Sequence, residues 1–226
     1  MKIVENVYLV PNIVANPFIV TDPDGLTIID VGVLFSERKI LAYIANLGNT
    51  HHDLKRIILT HSDTDHVGSL AALQKATGAR TYASRIEADA IAVGKPSRKP
   101  NPPGYSFRRS LFGLLGRFVK LVKPVQVDEI LTDGQTLPVL GGLQVVETPG
   151  HTPGHISLFS PSTGILFCGD SMSTDGNSIQ GSMHPGVTWD QAKAKESIDR
   201  QAALGAKIVC SGHGPVVMDA IGKFPV

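Results

Sequence analysis

Residues 59–69 read LTHSDTDHVGS and follow the apolar run RIILT of residues 56–60, so that His61, Asp63, Asp65 and His66 emerge together where a strand ends. Side chains gathered at a strand end and its loop can be aimed into one space. Neutral imidazole combined with carboxylate is the donor set that divalent zinc, iron or manganese accepts. Three further donors stand downstream: His151 in TPGHTPGH (148–155), Asp170 in FCGDSM (167–172) and His213 in SGHGP (211–215). Each follows an apolar run and has glycine beside it, which lets the backbone turn tightly next to a ligand. One such histidine alone would be an ordinary polar residue. A strand followed by a donor, repeated four times in the order cluster, His, Asp, His, is not what chance loop composition produces.

The flanking sequence reads as alternating strands and helices. KIVENVYLV (2–10), NPFIVTD (16–22) and LTIIDVG (26–32) are β-branched runs separated by Pro11-Asn12, Asn16-Pro17 and Asp22-Pro23-Asp24-Gly25, which predicts a meander. Ser36 is placed to cap a helix with Ile40, Leu41, Ile44 and Leu47 on one face, and Gly48 stands where a left-handed cap belongs. After the metal-capable cluster, residues 67–76 predict a second helix that buries Leu70 and Leu73 and stops at Gly78, followed by the strand RTYAS (80–84). In the second half VDEIL (127–131), LQVVETP (143–149), ISLFS (156–160) and GILFCGD (164–170) are strand signals, with turns at Asp133-Gly134, Gly141-Gly142 and Ser162-Thr163-Gly164. Thr188 and Gln191 form a capping-box pattern that opens a helix reaching about Leu204, with Ala194, Ile198 and Ala202 in one row, before the strand KIVCSG (207–212). The pattern is α/β and suits two sheets packed face to face with helices outside.

A chain of 226 residues can bury a substantial core, so one domain over residues 1–226 is expected. Its 21 Lys and Arg nearly balance 20 Asp and Glu, so no overall field selects polyanions and no nucleic-acid partner is expected. The charge imbalance is local. Between residues 95 and 123 lie Lys95, Arg98, Lys99, Arg108, Arg109, Arg117, Lys120 and Lys123 without one acidic residue. The segment reads as an insertion, a Pro-rich loop (KPSRKPNPPGYS, 95–106) and an amphipathic helix with Leu111, Leu114 or Leu115, Phe118 and Val122 along one stripe. A solvated helix packed on the sandwich, a lid or homodimer contact beside the site, and a membrane-surface element are its competing readings. No apolar run approaches the roughly 18 residues of a membrane span, and MKIVENVYLV alternates like a strand rather than a signal peptide. A cytoplasmic location follows as the expectation. Cys168 and Cys210 sit far apart in apolar runs, and both read as reduced core residues.

The ligand order and spacing resemble the metallo-β-lactamase superfamily, whose usual signature is HxHxDH followed by separated His, Asp and His. The likeness runs from LTIIDVG, with Asp30 at its strand end, to SGHGP near the C-terminus. It implies a four-layer αββα sandwich of two mixed β-sheets flanked by helices, with a dinuclear metal site at one edge. By position, His61, the residue at 63 and His151 would hold the first ion, Asp65, His66 and His213 the second, and Asp170 would bridge them. Zinc is the first choice, with manganese or iron as alternatives.

One position departs from the signature: the second histidine is Asp63, so the motif reads HxDxDH. With Asp63, Asp65 and Asp170 ionised and a bridging hydroxide, the assembly loses the net positive charge of the three-histidine version. Weaker Lewis acidity and better tolerance of manganese or ferrous iron follow. Asp63 either ligates directly or is too short to reach, which would leave a mononuclear second site. Of the remaining histidines, His155 reads as structural or as support for a ligand, His51 and His52 as a solvated loop, and His184 as a turn residue.

The chemistry implied is hydrolysis of a small ester, lactone or thioester substrate by a metal-bridging hydroxide, with Asp65 as the catalytic residue that orients the water and shuttles a proton. A small phosphodiester is the alternative substrate, kept open by the basic segment. A metal-retaining binding or sensor protein without turnover is the alternative from another class, because Asp63 breaks the signature. No GxSxG elbow and no phosphate-cradling glycine loop occur in the chain.

Overall fold

The computed structural model describes residues 1–98, 122–181 and 186–225. Most of the expected basic insertion, from Lys99 through Arg108, Arg109 and Phe118, therefore lies outside the described residues, as does His184.

Asn6, at φ 64°, turns the chain back, so the first predicted run becomes two strands, Lys2–Val4 (β1) and Val7–Leu9 (β2). With Phe18–Asp22 (β3) and Gly25–Ile29 (β4) they form the antiparallel meander read from the sequence. Leu54–Ile58 (β5), Arg80–Ser84 (β6) and Glu129–Leu131 (β7) extend the sheet in parallel to the order β1-β2-β3-β4-β5-β6-β7. The second sheet is built from Thr136–Leu137 (β8), Leu143–Glu147 (β9), Ile156–Ser160 (β10), Ile165–Gly169 (β11) and Ile208–Ser211 (β14), with β11 and β14 parallel. Ser173–Thr174 (β12) and Ile179–Gln180 (β13) make a small separate hairpin.

Alternation along the strands decides the layering, because successive side chains point to opposite faces. Ile28 and Ile57 pack outward with Ile40 and Ile44 of α1 (Glu37–Asn46), Leu70 and Leu73 of α3 (Leu70–Thr77) and Ile91 of α4 (Arg85–Ala92). Their chain neighbours Ile29 and Ile58 turn inward, where they meet Val145, Leu158, Phe167 and Cys210 of the second sheet. Val146, Phe159, Leu166 and Val209 face out again, against Ile198 of α5 (Gln191–Ala202). Three apolar layers thus separate helices, sheet, sheet and helix, and the expected αββα sandwich of two mixed sheets is present. Central strands buried on both faces explain the continuous Val/Ile/Leu runs in the sequence. Both cysteines are buried and unpaired. Among the described residues no helix is long and apolar enough to cross a membrane.

Three local expectations are corrected. Ser36 occupies the cap position of α1 but its hydroxyl caps nothing; Ser69 Oγ accepts instead from the Ser36 and Glu37 amides, at 2.7 and 3.2 Å. The helix expected from residue 67 starts earlier and breaks, as α2 (Thr64–Val67) and α3, so Asp65 and His66 stand on a helical turn rather than on a strand end. Asp190, not Thr188, caps α5, its carboxylate accepting from the Ala192 and Lys193 amides at 3.0 and 3.1 Å. The helix α4 follows β6 directly, and the Ser84-x-x-Glu87 spacing, whose Ser84 hydroxyl accepts from the Glu87 amide, is the capping signal that marks it.

Candidate metal centre

Parallel pairing gathers the donors at one end of the sandwich. β4 and β5 run in parallel, so Asp30 after one and His61 after the other leave the first sheet at the same end. β11 and β14 are likewise parallel, which brings Asp170 and His213 together. β9 is antiparallel to β10 and β10 to β11, so β9 points the same way as β11, and the loop behind it delivers His151 to that end too. Ligand sites at the carboxyl ends of strands are the general outcome of such sheets.

All seven sequence-derived residues converge, six of them in two groups of three. Donor atoms of His61, His151 and Asp170 lie within 4.8 Å of one another, and so do those of Asp65, His66 and His213. Asp170 stands between them: Oδ1 is 3.2 Å from His66 Nε2, while Oδ2 is 3.4 Å from His213 Nε2 and 3.7 Å from His151 Nε2. Asp63 is in neither group of three. Its Oδ2 lies 3.2 Å from His151 Nε2 and 3.9 Å from His61 Nε2, and the same carboxylate is paired with Arg98.

The surrounding hydrogen bonds set the tautomers. Thr60 Oγ1 donates its only proton to Asp30 Oδ2 at 2.8 Å, so it accepts from His61 Nδ1 at 2.9 Å and leaves the His61 Nε2 lone pair free. Asp30 Oδ2 also takes His66 Nδ1 at 2.8 Å, the carboxylate–histidine arrangement that orients a metal-binding ring. His61 Nε2, His66 Nε2 and Asp170 Oδ1 are buried and make no hydrogen bond. Buried polar atoms without partners are costly, and these, one imidazole nitrogen in each group with Asp170 beside them, fit divalent cations. His155 differs. Its Nε2 accepts from the Asp170 amide at 3.1 Å and its Nδ1 meets Thr148 Oγ1 at 2.8 Å, so neither nitrogen remains for a metal, in keeping with a supporting role.

The electrostatics point the same way. Burial opposes charge on His66, but Asp170 and Asp30 outweigh it and raise its pKa well above the ordinary imidazole value. Hydrogen bonds to Asp170 and Asp65 push His213 up to about 10. Burial resists ionisation of Asp170, yet His66 and His213 hold its carboxyl well below the usual range. A field that favours protons on imidazoles this strongly also favours a cation in their place. Burial and the neighbouring His66 keep His61 neutral, and burial and His151 lower His155 to about 3.

Close backbone approach requires glycine at two points. A Cβ on Gly212 would lie 2.2 Å from Asp170 Oδ1, and one on Gly169 would lie 2.7 Å from His155 Nε2. The His151 turn is pinned to the start of α5, with the Trp189 amide on the His151 carbonyl at 3.1 Å and the Asp190 amide on Gly150 at 2.9 Å.

The model of the metallo-β-lactamase superfamily matches residues 11–213. The chain belongs to the metallo-β-lactamase superfamily. It is a metallo-hydrolase by that membership and by its relatives. The probable metallo-hydrolase YflN of Bacillus subtilis (strain 168) is 29% identical over 209 residues, which cover 86% of this chain and 77% of that one. The hydroxyacylglutathione hydrolase of Cereibacter sphaeroides is 29% identical over 174 residues, 75% of this chain and 52% of the relative, so the match spans about half of that protein's length. The fold of a metallo-β-lactamase family protein from Thermus thermophilus superposes with a TM-score of 0.73 at 23% identity, covering 98% of this chain and 78% of that one.

Residues outside the sequence-derived set also build the centre. Thr60 carried no metal signature because a hydroxyl at a strand end is common. Arg98 was legible only as one charge in the basic segment. Glu87, fully buried on α4, was marked in the sequence only by the Ser84-x-x-Glu87 capping spacing.

Proposed function

We propose that this superfamily member hydrolyses a small thioester, ester or lactone, with His61, Asp63, His151 and Asp170 at one metal position and Asp65, His66, His213 and Asp170 at the other. The single observation that carries the reading is the Asp170 carboxylate, whose two oxygens face donors of both groups within 3.2–3.7 Å. Two divalent ions held by these residues, zinc by first choice, would supply an activated water at neutral pH and polarise the oxygen under attack. The chain's own residues do the rest. Asp30 and Thr60 orient His66 and His61, and half-buried Asp65, 3.2 Å from His213, is the group with the solvent access needed to orient a water and pass its proton to the leaving group. Thioester is placed first among substrates because a relative matched over 75% of the chain is named for the hydrolysis of an acylated glutathione.

Elemental analysis of desalted protein, followed by turnover on thioester, ester, lactone and phosphodiester panels, tests this. Close to two equivalents of metal with turnover of the carbonyl substrates is the expected result. Preference for the phosphodiester would replace the substrate class, and protein that retains no zinc, manganese or iron after saturation would end the reading.

A further inference from the structure

Arg98 reaches the centre from outside the ligand set. Its guanidinium engages Asp63 at two points, Nη2 on Oδ2 and Nε 3.3 Å from Oδ1, with both side chains largely buried. Exposed ion pairs are weak because both side chains must be ordered from solvent. Here the ordering is already built. The Ser97 amide donates to Ser62 Oγ at 2.9 Å and Ser97 Oγ donates to Glu87 Oε1 at 2.8 Å. Glu87 also accepts from the Ser62 amide at 2.9 Å, from Thr152 Oγ1 at 2.7 Å and from the Gly154 amide at 3.0 Å. One buried carboxylate thereby ties the residue between His61 and Asp63, the turn after His151 and the residue before Arg98 into one frame.

Three carboxylates, Asp63, Asp65 and Asp170, face the two metal positions, and Arg98 is the one Lys or Arg paired with any of them among the described residues. Asp63 Oδ2, toward His61 and His151, is the oxygen presented to the first position. Resting on the metal-centre reading above, we infer that Arg98 is a positioning residue that offsets the charge of Asp63, so that the pair offers the first ion an oxygen ligand without net charge. A guanidinium so near the ion, in a site of low effective dielectric, repels it and weakens the donor strength of the carboxylate. The first ion is then held less tightly and remains the stronger Lewis acid. The Asp63–Arg98 pair in this way takes the electrostatic place of a neutral imidazole.

Chelator competition with zinc on the full chain tests it, for wild type, Arg98→Met, Arg98→Lys, Asp63→Asn and the double variant Asp63→Asn/Arg98→Met. Arg98→Met should bind zinc at the first position about tenfold more tightly, Arg98→Lys should stay near wild type, and Arg98→Met should change nothing once Asp63 is Asn. Equal zinc affinity in Arg98→Met and wild type would overturn the inference while the metal centre stands, as would a tenfold gain that persists in the Asp63→Asn background. Should Arg98→Met fail to fold, the same decision falls to Arg98→Lys against Asp63→Asn: a lysine variant that shifts affinity as far as the removal of Asp63 overturns charge compensation. Wild-type protein without metal would overturn the centre and the inference together.

Discussion

The two ligand groups meet at Asp170 but are constructed from different parts of the fold. The first takes His61 from the end of β5 and His151 from a turn clamped to α5, and all its side chains are buried. The second takes Asp65 and His66 from the short helix α2 and His213 from beyond β14, and two of its three side chains keep about 30% exposure, 31% and 29%. The first is insulated and carries the Asp63–Arg98 pair; the second is open to solvent and rests on Asp30. A buried group favours an ion whose charge is tuned by its neighbours, and an open one favours exchange of water and substrate, so insulation and access are divided between halves of one centre.

Removing the shared element should have the largest effect. Asp170→Asn keeps the shape but not the charge, and it should lose at least one of two metal equivalents and lower kcat/KM about a thousandfold, roughly 4 kcal/mol of transition-state stabilisation. Measurement of metal content beside turnover checks this. Full stoichiometry and rate in the variant would mean that the groups do not share Asp170.

Asp30→Asn should separate the halves. It disturbs the carboxylate that holds His66 Nδ1 directly and His61 only through Thr60, so affinity at the second position should fall about 10–100-fold and affinity at the first by clearly less. Titration by stepwise chelation reads both constants, and equal losses at the two positions would erase the distinction drawn between them.

Asp128 sets the baseline, because it lies away from both groups. Its carboxylate accepts from the Thr81 amide at 2.8 Å and Thr81 Oγ1 at 2.7 Å, joining β6 to the chain before β7. Burial opposes its ionisation, but the bonds from Thr81 outweigh that and lower its pKa. A depressed folded-state value contributes stability above the unfolded value of about 3.9, and that contribution is lost as pH falls through the folded value. Because Asp128 is exposed and solvent screens its interactions, Asp128→Asn should cost no more than about 0.5 kcal/mol at pH 7 in denaturant unfolding, with the difference from wild type shrinking below about pH 4 and metal content unchanged. A constant difference across that range would assign the loss to geometry rather than charge.

Much of the architecture and of the converging donor set is legible in the sequence. Alternating apolar runs, turn residues and the repeated strand-then-donor pattern predicted β3, β4, β6, β9, β10, β11 and β14 and all seven converging residues. What was missed has local causes. α4 begins at Arg85, straight after the last residue of β6, with no loop to mark it, α2 lasts one turn, too short for periodicity to show, and Asp190 lies two residues from the capping box that is stronger in the linear reading.

The sequence by itself determined which donor side chains could converge, because donor type and strand-end position are properties of single residues and their neighbours. The tertiary structure alone decided how those donors are partitioned and charged. Asp170 sits between two groups because parallel β11 and β14 end side by side; His155 is withdrawn from ligation because the Asp170 amide and Thr148 consume both its nitrogens; Asp63 meets Arg98 because Glu87 and Ser62 hold Ser97 beside it. These contacts join residues well apart in the chain, 15 positions for His155 and Asp170 and 35 for Ser62 and Ser97, and hydrogen-bond geometry over such separations is set by packing rather than by local sequence.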